Sequence, residues 1–86
     1  MNIELIKTKR KELLMHAYLY YCIYDTVWSD SQWDAAAREL VQLHKEIPEG
    51  ITVGYMDDYF NSWEGMTMFD ATFDEEVKSG AMELLK

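Results

Sequence analysis

Between His16 and Leu40 the chain reads HAYLYYCIYDTVWSDSQWDAAAREL, which places four tyrosines, two tryptophans and three aspartates in one short span. Asp30, Trp33 and Asp34 stand at i, i+3 and i+4, so on a helix they share one surface. Tyr20 and Tyr24 are likewise one helical turn apart. Aromatic faces stack on flat heterocycles, and a cationic ring gains a further cation–π contribution of about 0.5–2 kcal/mol. Carboxylates beside such faces accept hydrogen bonds from ribose hydroxyls, as the acidic residue of dinucleotide-binding folds does. The combination suits a flat, cationic or hydroxyl-rich ligand, and nicotinamide riboside is one.

Two helices must position these groups. Ile3, Ile6, Leu13, Leu14, Ala17, Tyr20, Tyr21 and Tyr24 recur near helical spacing with no Gly or Pro between them, predicting a helix from Asn2 or Ile3 to about Tyr24. Asp25 to Trp28 break the pattern as a loop. Ser29-Asp30-Ser31-Gln32 is a capping-box pattern that opens a second helix to about Glu46, burying Trp33, Ala36, Ala37, Leu40, Val41 and His44. Pro48 and Gly50 stop it. So short a loop between amphipathic helices favours an antiparallel hairpin, which brings Tyr20 and Tyr24 beside Asp30, Trp33 and Asp34.

The remainder is less regular. Ile51, Val53 and Tyr55 alternate like a short strand that lacks an obvious partner, and Asp57 to Trp63 suggests a helical turn ended by Gly65. Tyr55, Tyr59, Phe60, Trp63, Met66, Met68, Phe69 and Phe73 make this segment apolar enough to fold back over the hairpin. Thr72-Phe73-Asp74-Glu75 is a second capping-box pattern, opening a last helix through Val77, Ala81, Leu84 and Leu85. Gly80 weakens that helix by about 1 kcal/mol relative to Ala.

Eighty-six residues make one domain with room for a single modest core. Sixteen acidic against eight basic residues give a formal charge of −8, which argues against a binder of the phosphate backbone. The one basic run, Lys7 to Lys11 (KTKRK), reads as a solvated helix face. A single cysteine, Cys22, excludes an internal disulfide and fits a reducing compartment. His16, His44 and Cys22 lack metal-ligand spacing. There is neither a signal-peptide pattern nor the roughly 20 apolar residues that span a bilayer, so a cytoplasmic protein is expected.

The pattern H-x-Y-x-Y-Y, then S-D-x-x-(aromatic)-D, then R-E-L-x-x-L resembles the N-terminal accessory domain (domain Ia) of bacterial NAD-dependent DNA ligases. The likeness runs from about Leu13 to Pro48. It implies recognition of the nicotinamide mononucleotide half of NAD, with Tyr20 and Trp33 sandwiching the nicotinamide. Tyr21, Asp30 and Asp34 would hold the amide, ribose or phosphate. Two stretches depart from the pattern. Trp33 stands where the family usually has tyrosine, and Tyr24, Asp25 and Thr26 replace its usual aspartate-x-proline. No nucleotidyltransferase domain with a K-x-D-G lysine follows, so ligation by this chain alone is not expected. Small ligase-related proteins encoded by bacteriophages stand alone in this way, and for such a chain the compartment is the host cytoplasm.

These observations predict an all-α domain over residues 1–86: a ligase-Ia-like helical hairpin at about 3–47, then an unmatched tail at 48–86 with a covering aromatic loop and a C-terminal helix. The expected function is non-catalytic recognition of the nicotinamide mononucleotide part of NAD by Tyr20, Tyr21, Asp30, Trp33 and Asp34. One rival is an acidic phage or mobile-element protein that binds a host protein such as a NAD-dependent ligase, a defence enzyme or a DNA-binding protein. Another is an enzyme of NAD turnover using Asp30 or Asp34. Each residue also has a plainer role: aromatics dominate the cores of small domains, and Asp30 favours the helix dipole by about 0.3–1 kcal/mol.

Overall fold

The first helix, α1 (Ile3–Tyr18), is started by Asn2, whose side chain accepts from the Leu5 N–H at 3.0 Å in the computed structural model. The structure describes residues 2–65, 68 and 70–86. The helix runs on without a break as a π-helical turn, Leu19–Ile23, and ends on Tyr24 in the left-handed conformation (φ 63°). After a short loop comes α2 (Asp30–Lys45), and here the capping box forms in full: Gln32 N–H donates to Ser29 Oγ at 3.2 Å, and Ser29 N–H to Gln32 Oε1 at 2.8 Å. A short α3 (Asp57–Asn61) and a longer α4 (Glu75–Leu84) complete an all-α fold, with no strand among the described residues. No described helix is long and apolar enough to cross a membrane.

Contacts between α1 and α2 pair Leu13 with Trp33, Lys9 with Glu39 and Arg10 with His44. Falling numbers on one helix meet rising numbers on the other, so the hairpin is antiparallel. Helix α1 is the central element, packed against both α2 and α4. Its Ile6, Leu13, Leu14 and Ala17 meet Ala37 and Leu40 of α2, Val53 and Phe60 of the covering segment, and Val77 of α4. Each large aliphatic side chain buried this way contributes about 1.5–3 kcal/mol.

Several expectations need correction. Ile51 to Tyr55 is not a strand. Instead the Asp57 carboxylate accepts from the N–H groups of Val53 (3.2 Å) and Gly54 (2.8 Å), in a turn that Gly54 allows with φ 89°. The last helix is capped by Asp74, which accepts from Val77 N–H at 2.8 Å, and not by Thr72. Gly80 is more than a weak helix former: a Cβ there would lie 2.9 Å from Met15 Sδ, so the missing side chain lets α4 approach α1 closely. On α2 only Ala37 and Leu40 are fully buried, whereas Trp33, Ala36, Val41 and His44 are half-buried. Met66 and Phe69 lie outside the described residues.

The basic run is also not a plain solvated face. Arg10 is 2% exposed. Its guanidinium donates to Asp57 Oδ1 (2.9 Å), the Tyr55 carbonyl (2.7 Å) and His44 Nε2 (3.1 Å), and it lies 4.8 Å from the centre of the Phe60 ring. Lys9 and Lys11 reach Glu39 on α2 and Glu76 on α4. One stretch of α1 thereby holds all the other layers.

His44 must be unprotonated at Nε2 to accept from Arg10. Burial first, and then the adjacent guanidinium, push its pKa down to about 4 against the opposing pull of Asp57. Burial lowers that of His16 too. The unfolded chain therefore binds protons that the folded chain refuses. Stability is full above the ordinary histidine range near 6.5 and falls as pH drops through it toward about 4. Because His44 is half-buried, solvent screening reduces its share to about 1–2 kcal/mol. Urea unfolding at pH 7.5 and pH 4.5 should show that loss, and His44→Gln, which keeps an acceptor but cannot titrate, should shrink it. An unchanged pH dependence in His44→Gln would exclude this origin.

Candidate functional site

The end of α1 decides where the site's rings point. A π turn holds one residue more than an α turn, and such turns concentrate at functional positions. Here the Leu19 carbonyl accepts from Tyr24 N–H and also from Asp25 N–H at 3.3 Å, closing the wide turn. The expectation that Tyr20 and Tyr24 share a face fails for this reason. Tyr24 is thrown outward and is 85% exposed. Tyr20 and Tyr21 pair instead, edge to face, with ring centroids 4.9 Å apart. Tyr20 is 50% exposed, whereas Tyr21 is half-buried and packs against the core.

Across the hairpin, the capping box fixes the first turn of α2, and with it Asp30, Trp33 and Asp34. Trp33 is half-buried and directs its indole N–H at the Leu13 carbonyl of α1, 3.4 Å away. Asp30 and Asp34 are exposed. An open cleft of about 270 Å³ lies between these elements, and Tyr20, Tyr21, Asp30, Trp33 and Asp34 all line it. Every other residue found in its wall also comes from the hairpin, so among the described residues the aromatic tail does not fill it.

Sequence reasoning missed the far wall. His16 is 6% exposed and stacks flat on Trp28, with ring centroids 3.6 Å apart and planes 4° from parallel. Its Nδ1 is buried without a hydrogen-bond partner among the described residues, and burial lowers its pKa. Thr26, Ser29 and Ala17 complete the lining. The same two rings line a second, more open groove beside Val27 and Leu84. A signal was available. His16 on α1 is four residues before Tyr20 in the π turn, and a tryptophan in so short a loop has little to do but pack back onto the helix that precedes it.

In chemical terms the cleft offers aromatic faces on several sides and two exposed carboxylates at its rim. It has hydrogen-bond acceptors for hydroxyls and π-faces for a flat or cationic ring. A volume of about 270 Å³ lies just below the usual range for drug-sized ligands, so half of a dinucleotide fits it better than the whole.

Comparison with known proteins bears on this hairpin. A DNA ligase of Pseudothermotoga lettingae is 33% identical over 81 residues, spanning 81% of this chain. The chain is related to bacterial DNA ligases. A DNA ligase of Thermosipho africanus is 39% identical over 46 residues, 54% of the chain, and that of Thermotoga maritima 36% over 50 residues, 58% of the chain. The chain spans only 12% of the length of the first of these ligases and 7% of the other two. A match over 81% of 86 residues necessarily runs past Pro48, into the segment where the sequence alone shows no ligase-like pattern. No family model matches, and no solved structure matches.

Proposed function

We propose that this ligase-related chain is a non-catalytic recognition module for the nicotinamide mononucleotide part of NAD. The observation that carries the proposal is the convergence of Tyr20, Tyr21, Asp30, Trp33 and Asp34 on a single cleft. They come from two helices and were singled out by their likeness to the accessory domain of NAD-dependent ligases. In this reading Tyr20 and Trp33 stack on the pyridinium ring, and the carboxylates accept from the ribose hydroxyls. The chemistry of NAD itself would be done elsewhere, by a nucleotidyltransferase centre.

The test is a titration of the full chain followed by NMR. Nicotinamide mononucleotide and NAD should shift resonances of residues 16–34, while AMP should not. Affinity should be weak, on the order of 0.1–1 mM, or about 4–5.5 kcal/mol. Asp34→Ala should reduce it by about 1–3 kcal/mol through the lost acceptor. Equal responses to AMP and nicotinamide mononucleotide would refute the reading.

One feature favours a second reading. Tyr24 is an aromatic ring almost wholly in solvent, held there by the left-handed end of the π turn, with Asp25 next to it. Acidic and aromatic groups together suit docking on a basic protein surface. The partner would be a host NAD-dependent ligase, defence enzyme or DNA-binding protein, and the chain a phage or mobile-element product. If none of the nucleotides shifts the hairpin's resonances at several millimolar, this second reading leads.

A further inference from the structure

We infer that the cleft selects the cationic base and ribose of its ligand and does not hold the phosphate, so that nicotinamide riboside binds this chain more tightly than nicotinamide mononucleotide does. The inference rests on reading the cleft as a nicotinamide site and specifies what that site can recognise.

Charge decides what the cleft can hold. From Glu12 to Ala37 the chain contains no lysine or arginine, and every residue found to line the cleft lies in that interval. Its charged groups are Asp30 and Asp34, both exposed, and its one histidine, His16, is buried, which disfavours the protonated form. A phosphate bears a charge of about −1.5 to −2 near neutral pH and is normally met by Arg, Lys or a row of backbone N–H groups. At the start of α2 the capping box already uses two such groups, the N–H of Ser29 and that of Gln32, and the acidic Asp30 stands in the same first turn.

The pyridinium of the riboside, by contrast, is a delocalised cation that gains from both the ring faces and the carboxylates. Adding a phosphate turns a ligand of charge +1 into one that is net negative, within a Debye length of two aspartates. The closest cation along α2 is Arg38, one turn past Asp34, exposed and outside the cleft lining. Most other basic groups are taken: Lys7, Lys9, Arg10, Lys11, Lys78 and Lys86 all have carboxylate partners. Any protein that uses this module with a phosphorylated nicotinamide must therefore supply the phosphate-binding cation from another surface.

Calorimetric or NMR titration of the full chain with the two ligands tests this. At about 20 mM salt the riboside should bind about three- to tenfold tighter than the mononucleotide, and the gap should narrow toward parity at about 300 mM. Asp34→Asn should weaken the riboside more than the mononucleotide and so close the gap. Arg38→Ala should leave both affinities within about twofold; a selective loss of mononucleotide binding would mean that Arg38 reaches the phosphate, and would overturn the inference. A mononucleotide that binds as tightly as the riboside or tighter at low salt overturns it as well, while leaving the nicotinamide reading in place. If neither ligand binds at several millimolar, both fall.

Discussion

Arg10→Ala should cost about 3–5 kcal/mol of unfolding free energy, the largest effect expected of any single charge removal in this chain. Ordinarily an arginine in a run of basic residues contributes little, because an exposed ion pair is worth about 0–1 kcal/mol. Arg10 differs in being 2% exposed while its partners stay in place when it is cut back. The Asp57 carboxylate, the Tyr55 carbonyl and His44 Nε2 would each lose a donor. The Phe60 ring would lose the cation lying over it. Since a domain of this size has a total stability of roughly 5–15 kcal/mol, the variant should be marginal. Lys11→Ala, which removes the exposed pair with Glu76, should shift stability by less than about 1 kcal/mol. Combining Arg10→Met with Asp57→Asn should recover part of the loss, because the partly exposed Asp57 carboxylate is then not left without its cation. Equal urea midpoints for Arg10→Ala and Lys11→Ala would contradict the account.

The second large effect is at Trp33, where stability and recognition meet. Its ring packs against the core and its N–H reaches the Leu13 carbonyl, so Trp33→Ala should destabilise the hairpin by about 2–3 kcal/mol. On the proposed function it should also remove a stacking face worth about 1–3 kcal/mol, a loss of roughly 5- to 150-fold in affinity for nicotinamide mononucleotide. Trp33→Tyr separates the two. It keeps a ring where ligase relatives are expected to have tyrosine but gives up the indole N–H, so binding should persist with a small stability cost. Should Trp33→Ala fold, melt cooperatively and still bind with unchanged affinity, the ring is not part of a ligand site.

What could be read from the chain without coordinates follows the distance over which each interaction acts. The hairpin and the capping box at Ser29 and Gln32 are written in residues three or four apart, and helical spacing alone exposes them. Of the cleft residues, Tyr20, Asp30, Trp33 and Asp34 were legible for the same reason, whereas Tyr21 entered through the ligase likeness and helical spacing named Tyr24 in its place. Arg10 was not, because its carboxylate partner is 47 positions away and a charge run carries no mark of it. The alternation of Ile51, Val53 and Tyr55 misled because a strand is defined by its neighbour. Here the backbone N–H groups found the Asp57 side chain in place of a ladder. At the start of α4 two capping residues compete, and Asp74 is favoured because its carboxylate sits three positions before the buried Val77. His16 and Trp28 required knowing that the loop folds back, which no periodicity records.

The wide turn at Leu19–Ile23 has a consequence of a different kind. Side-chain substitution alters what a position presents, but the count of peptide units in that turn sets which way Tyr20, Tyr21 and Tyr24 face. Losing one residue there would restore an ordinary helix and rotate everything beyond it by about 100° about the helix axis, with every aromatic still present. The geometry of the cleft is thus held partly by chain length, a property that changes by insertion and deletion and is silent to point mutation. Two relatives could share all five cleft residues and still differ in whether those residues meet.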